Sequence, residues 1–194
     1  MPFLEGRTLR EALRQSRFSP DRAAVLVRQL GSAIAANHET GMVHRDLKPE
    51  NLMLTRDSQP IQVVIIDFGT AGLRGAESQL AATTLLAGSF HYMAPERLTG
   101  HYAPASDTFA FAVIILEMAT GKRLSDLHAY YSDGAFRREL EDALRQSAGS
   151  AVAGGLADSL LPAFHPDPRL RPQDILAWTE QIAALLELAR PASG

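Results

Sequence analysis

The run His44-Arg45-Asp46-Leu47-Lys48-Pro49-Glu50-Asn51 places a carboxylate, an ammonium and a carboxamide within one short stretch. Sixteen residues after Asn51 comes Asp67-Phe68-Gly69, and further on Ala94-Pro95-Glu96. An aspartate offers a base or an orienting acceptor, and a lysine offers a compact positive charge. An asparagine together with a second aspartate supplies the oxygen ligands that a hard cation such as magnesium requires. A lone His-x-Asp would be a weak signal; three motifs in this order are a strong one.

In that order the motifs resemble those of the eukaryotic-like (bacterial-type) Ser/Thr protein kinases, and the likeness is to the C-terminal lobe of the catalytic domain. It is dense from residue 3 to 97, good through 121, thin to 163 and good again over 165–172. The resemblance implies transfer of the γ-phosphoryl group of ATP to a protein Ser or Thr hydroxyl, with Mg2+. Asp46 is then the catalytic base, Lys48 neutralises charge on the transferred group, and Asn51 and Asp67 share the metal. The Pro2 carbonyl and the Leu4 N–H lie on the hinge that would hold the adenine, with Met53 beneath the ring. His44 and Phe68 join a stack of side chains linking two lobes, and Asp107 bonds the loop backbone. Glu96 and Arg171 form a buried ion pair stapling the activation segment to the last helices. Arg45 receives a phosphate on that segment, and Thr83 and Thr84 lie six and five residues before Ser89, where it would stand. Gly88-Ser89, in place of the usual Gly-Thr, speaks for a polypeptide substrate, since small-molecule kinases lack this segment.

The remaining composition fits that reading. At 194 residues and 46% hydrophobic the chain can bury a sizeable core as one domain, residues 1–190, followed by a loose tail at 191–194. A net charge of −3 leaves no electrostatic footprint for nucleic acid. No apolar run approaches the length of a membrane span, and no signal peptide opens the chain, so a cytoplasmic protein is expected. With no cysteine there is neither a disulfide nor a thiolate metal site.

The expected fold is α+β and protein-kinase-like: a predominantly helical large lobe with two or three short strands at the cleft. Residues 1–6 read as an extended piece closed by a turn at Gly6. A short helix over 8–15 opens with the capping-box pair Thr8 and Glu11. A longer one opens at Ser19-Pro20, with Val25, Leu26, Leu30, Ala33, Ile34 and Asn37 on one buried face, and stops at Gly41. Residues 52–54 and 61–66 form a hairpin. A helix over 104–118 is apolar on all sides, as a helix at the centre of a core would be. Further helices are predicted over 133–145, 156–163 and 172–189, with a Gly/Ala/Ser linker over 147–155.

One part of the family pattern has no counterpart. No GxGxxG occurs, and the only lysines, Lys48 and Lys122, are both placed elsewhere, so no residue is left to be the strand lysine of a small lobe. The small β-rich lobe is therefore read as absent, and the chain by itself as inactive or very weak. The open upper face would then await the missing N-terminal lobe or a partner. The rival reading is a non-catalytic half-kinase that binds a partner through that face. A third, a small-molecule phosphotransferase, is opposed by residues 88–96.

Overall fold

A computed structural model of the protein describes residues 6–55, 61–66, 90–124 and 134–189. The N-terminal part builds a platform for the loop at 44–51. Strand β1 (Gly6–Thr8), β2 (Leu52–Thr55) and β3 (Val63–Ile65) form an antiparallel sheet in the order β1-β2-β3. Gly6 pairs with Thr55 and Thr8 with Met53, while Leu52 faces Ile65 across the other side of β2. Gly6 is thus not a turn but a strand residue. The backbones come so close there that a Cβ at Gly6 would lie 2.4 Å from the Leu54 carbonyl oxygen. Along β2 the side chains alternate: Leu52 and Leu54 are buried, Met53 and Thr55 half-buried.

Helix α1 (Leu9–Gln15) starts where its capping box predicts. The Glu11 N–H donates to Thr8 Oγ1 at 3.1 Å and the Thr8 N–H to Glu11 Oε2 at 2.8 Å. Helix α2 (Pro20–Glu39) has Ser19 as N-cap and Pro20 in its first turn, and the chain leaves it through Gly41 at φ 76°. Its buried face is broader than the predicted one and turned from it: Ala23, Ala24, Leu26, Val27, Leu30, Gly31, Ile34 and Ala35 are buried. Val25, Ala33 and Asn37 are only half-buried. The face is set by what lies opposite, since α2 packs chiefly against α6 (Ile175–Leu188).

Helix α3 (Pro104–Thr120) runs through the middle of the core, buried at every position from Ala105 to Met118, and ends at Gly121 with φ 71°. Phe111 meets Trp178 of α6 edge-on at 5.8 Å. Helix α4 (Gly134–Ala148) lays Phe136, Leu140, Ala143 and Leu144 against the core. The linker expected over 147–155 does not exist as such. Gly149 makes a break at φ 89°, and helix α5 (Ser150–Leu160) begins immediately after it. Its small residues are a packing surface: Val152, Ala153, Leu156 and Ala157 are buried, and a Cβ at Gly155 would stand 3.2 Å from Leu185 of α6. Close approach of helices outweighed low helix propensity. Asp174 caps α6 by accepting from the Ala177 N–H at 2.9 Å. The tail at 191–194 lies outside the described residues.

Candidate active site

The site sits on the loop between α2 and β2. Asp46, Lys48 and Asn51 converge there. Lys48 Nζ is 2.7 Å from Asp46 Oδ2, and Asn51 Nδ2 donates to the Asp46 carbonyl at 2.8 Å and to its Oδ2 at 3.3 Å. A short 3-10 turn, Pro49–Asn51, brings Asn51 back over Asp46, closed by the Asn51 N–H donating to the Lys48 carbonyl at 2.9 Å. The Asn51 amide nitrogen is spent on Asp46, which leaves its carbonyl oxygen for another role. Asp46 and Lys48 stay in partial contact with solvent, their side chains 33% and 20% exposed. A carboxylate and a cation thus open toward solvent beside the buried Asn51 amide.

Two anchors hold the loop. Below it, buried Asp107 of α3 accepts from the His44 N–H at 2.8 Å and the Arg45 N–H at 3.1 Å, and from His38 Nε2 at 3.0 Å. Arg45 is held in the left-handed region at φ 70°, a conformation that a non-glycine residue keeps only where its surroundings fix it. Beside the loop, the Ile66 N–H donates to the Asn51 carbonyl at 2.9 Å and His44 Nε2 to the Ile66 carbonyl at 3.4 Å. Ile66, which follows β3 and precedes Asp67, is thereby fixed next to Asn51.

The outer part of the site carries charge. The guanidinium of Arg45 lies 5.2 Å from the Tyr102 ring centroid and that of Arg97 also 5.2 Å from it. Glu96 is bound in a two-pronged pair by Arg171, Nη1 to Oε1 and Nη2 to Oε2 both at 2.7 Å, while Ser106 Oγ donates to Glu96 Oε1 at 2.7 Å. Burial alone would push the Glu96 carboxyl up. The hydrogen bonds from Arg171 and Ser106 outweigh it and hold the group below its ordinary value. Arg171 is buried, gives further hydrogen bonds to the carbonyls of Ala105 and His165, and lies over the Phe109 ring at 5.1 Å.

Of the residues singled out in the sequence, His44, Arg45, Asp46, Lys48, Asn51 and Asp107 are brought into one continuous set of contacts. Met53 stands half-buried in β2, paired between Thr8 and Val64. Glu96 and Arg171 form their own node. Pro2, Leu4, Asp67, Phe68, Thr83, Thr84 and the pair Gly88-Ser89 lie outside the described residues. Sequence reasoning missed His38, whose ring nitrogen shares Asp107 with the loop, and a second buried polar group made by Arg10, Glu50, Tyr92 and Glu117. One signal was available for the latter: Glu117 is a charged residue directly after the wholly apolar stretch 109–116 of α3.

Comparison with known proteins agrees with the geometry. The family model for the protein kinase domain matches residues 1–155. The Ser/Thr protein kinase PknD of Mycobacterium tuberculosis is 37% identical over 123 residues, which is 62% of this chain and 18% of that protein. PknE of the same species is 38% identical over 125 residues, covering 62% of this chain and 21% of PknE. Pkn2 of Myxococcus xanthus is 34% identical over 125 residues, or 63% of this chain and 15% of that kinase. The chain therefore spans about a fifth or less of the length of these curated relatives. The crystal structure of the Mycobacterium tuberculosis PknI kinase domain, in a double-mutant form, superimposes with a TM-score of 0.65 at 21% identity, over 95% of this chain and 64% of the other. That likeness shows the fold: a helical large lobe with three short strands at one edge. Protein kinases as a family use ATP with a divalent metal ion and act on proteins. No helix among the described residues is long and apolar enough to cross a membrane. With the family model matching most of its length, this chain belongs to the protein kinase domain family.

Proposed function

We propose that this chain is the catalytic lobe of a Ser/Thr protein kinase that moves the γ-phosphoryl group of ATP to a Ser or Thr hydroxyl of a protein substrate in the cytoplasm. The observation that carries the reading is the convergence of Lys48 and Asn51 on the Asp46 carboxylate. Asp46 orients the incoming hydroxyl and accepts its proton as the oxygen attacks the γ-phosphorus; the bond to the β,γ-bridging oxygen breaks and ADP leaves. Lys48 swings its ammonium from Asp46 to the transferred group and offsets the charge that develops there. The carbonyl oxygen of Asn51 and the carboxylate of Asp67 are the groups that would hold Mg2+, and the chemistry of an amide and a carboxylate oxygen fits that hard cation. When bound, the metal neutralises charge on the β- and γ-phosphates.

Met53 belongs beneath the adenine, and Pro2 and Leu4 along its edge. Arg45 and Arg97 gather two positive charges on the Tyr102 ring, and neither is ion-paired among the described residues. A phosphate on Thr83 or Thr84 would find its counter-charge there and order the segment that leads to Glu96.

The test is phosphotransfer from γ-labelled ATP and Mg2+ by the full gene product purified from its source cells. Label on Ser or Thr, reduced at least about 100-fold by Asp46→Asn, is the expected result. Full labelling by the Asp46→Asn variant would remove Asp46 from the mechanism. No transfer by the unaltered protein would leave the half-kinase binding module as the better reading.

A further inference from the structure

Arg10 is only 5% exposed, yet no role in phosphoryl transfer has fallen to it. It stands in the first turn of α1, and its guanidinium reaches three segments that are distant in the chain. Nε lies 2.7 Å from Glu50 Oε1, inside the loop that carries Asp46 and Asn51. Nη1 lies 2.5 Å from Glu117 Oε1 near the end of α3, and Nη2 lies 3.3 Å from its Oε2. Nη2 also donates to the hydroxyl of Tyr92, which in turn donates to Glu117 Oε2, and the Tyr92 ring stands 5.7 Å from the guanidinium carbon. Tyr92 comes two residues before Ala94-Pro95-Glu96.

Two carboxylates and one phenol therefore close around one cation, with Arg123 Nε a second cation 3.6 Å from Glu117 Oε1. Glu117 is as buried as Arg10, whereas Glu50 keeps 44% of its side chain in solvent. Burial works against the charged form of Arg10, but the hydrogen bonds of Glu117 and Glu50 more than compensate and raise it above its ordinary value. For Tyr92, burial and then the bond to Glu117 push the phenol up, so it stays a neutral donor. Arg10 thus stays charged and Tyr92 neutral, which suits a fixed brace.

The asymmetry of exposure gives the cluster a direction. A purely structural arginine would be satisfied by Glu117 and Tyr92, both in the core. The third arm leaves the core to grip Glu50, adjacent to Asn51 in the 3-10 turn whose geometry aims the Asn51 amide. We infer that Arg10 is a positioning residue: through Glu50 it sets the Pro49–Asn51 turn, and through Tyr92 it ties that turn to the run entering Glu96. The kinetic part of this inference rests on the kinase reading; the part concerning loop order does not.

The experiment is backbone amide hydrogen exchange on the full gene product, unaltered and as Arg10→Met and Glu50→Gln, followed by the Mg2+ dependence of phosphotransfer. In Arg10→Met the Asn51 and Ile66 amides should exchange about tenfold faster, while amides of α2 over 26–34 and of α6 over 178–186 stay within about twofold. Glu50→Gln, changed at a solvent-exposed carboxylate, should speed the same two loop amides by a smaller factor and leave the core alone. Both variants should raise the Mg2+ concentration for half-maximal rate, by about tenfold for Arg10→Met, with Arg10→Lys intermediate, because a lysine cannot span all three partners. Unchanged loop exchange in Glu50→Gln, or uniform acceleration through the core in Arg10→Met, would overturn the inference and make Arg10 a core-filling residue. If Arg10→Met does not fold, the Glu50→Gln exchange pattern decides alone. Loop acceleration in a protein with no phosphotransfer at all would keep the brace and discard the kinase reading.

Discussion

Asp107 holds the backbone of His44: its Oδ2 accepts the His44 N–H at 2.8 Å from inside the core, while Oδ1 takes the Arg45 N–H. That carboxylate is what keeps Arg45 at a positive φ, so the loop's shape is set from α3 and not by its own sequence. In Asp107→Asn the amide group faces donors at one end where it can only donate. One buried backbone N–H is left without an acceptor, at about 1–3 kcal/mol. The urea midpoint of the variant should fall accordingly, and phosphotransfer should drop by more than the loss of folded protein accounts for. Equal losses in both would mean that Asp107 supports the fold alone.

Lys48 and Asp46 form an ion pair at 2.7 Å in a partly exposed setting, so the pair itself adds little to stability. In the proposed mechanism its worth is in the reaction, where the ammonium stands opposite developing charge. Lys48→Met should leave the thermal midpoint nearly unchanged and reduce the phosphotransfer rate about 10²–10³-fold. Lys48→Arg should recover part of that rate, since it restores charge but not the compact ammonium. Rates and melting curves on the same preparations check both halves.

Glu96 and Arg171 should make stability fall in acid. The Glu96 carboxyl is held below its ordinary value of 4.5, so it binds its proton less readily in the folded than in the unfolded chain. Stability from the ionised group is therefore fully present above about pH 4.5 and is lost as the pH falls through the lower folded value. Urea midpoints between pH 6 and pH 3 should decline more steeply for the unaltered protein than for Glu96→Gln. At neutral pH, Glu96→Gln leaves Arg171 buried without its charge partner and should destabilise by roughly 3–5 kcal/mol.

How far the sequence reaches is clear from particular residues. Thr8 with Glu11, and Ser19 with Pro20, are local signals, and both helices begin where those residues say. Helix α3 is legible because apolar side chains on every side fit only a core. The residues of the loop at 44–51 are legible from their motif, although sequence alone gives no distance between Asp46 and Lys48. What failed was set by tertiary contact. Gly6, read as a turn, is a strand glycine because of a backbone opposite it, and Gly154-Gly155, read as a linker, lie within a helix that packs on two others. Arg10 carries no local signal at all, since its partners are 40, 82 and 107 residues away.

A close contact between α2 and α6 offers a test of that tertiary control. Gly31 lies on the buried face of α2, and a Cβ there would meet α6 at Thr179, 2.4 Å from Oγ1, 2.7 Å from Cγ2 and 2.9 Å from Cβ. Helix propensity alone says that Gly31→Ala should stabilise by about 1 kcal/mol. The contact says otherwise, because all three atoms belong to a β-branched side chain near its backbone, and Thr179 Oγ1 donates to the Leu176 carbonyl at 3.1 Å. Relief requires α2 and α6 to move apart, and overpacking of this kind costs about 1–3 kcal/mol. Gly31→Ala should therefore lower the urea midpoint. Thr179→Ala removes the two nearer contacts, so the double variant should be more stable than the sum of the two single changes. Simple additivity would mean that the helices yield freely at this point, and that α2 takes its position from Leu26, Leu30 and Ile34 without help from the glycine.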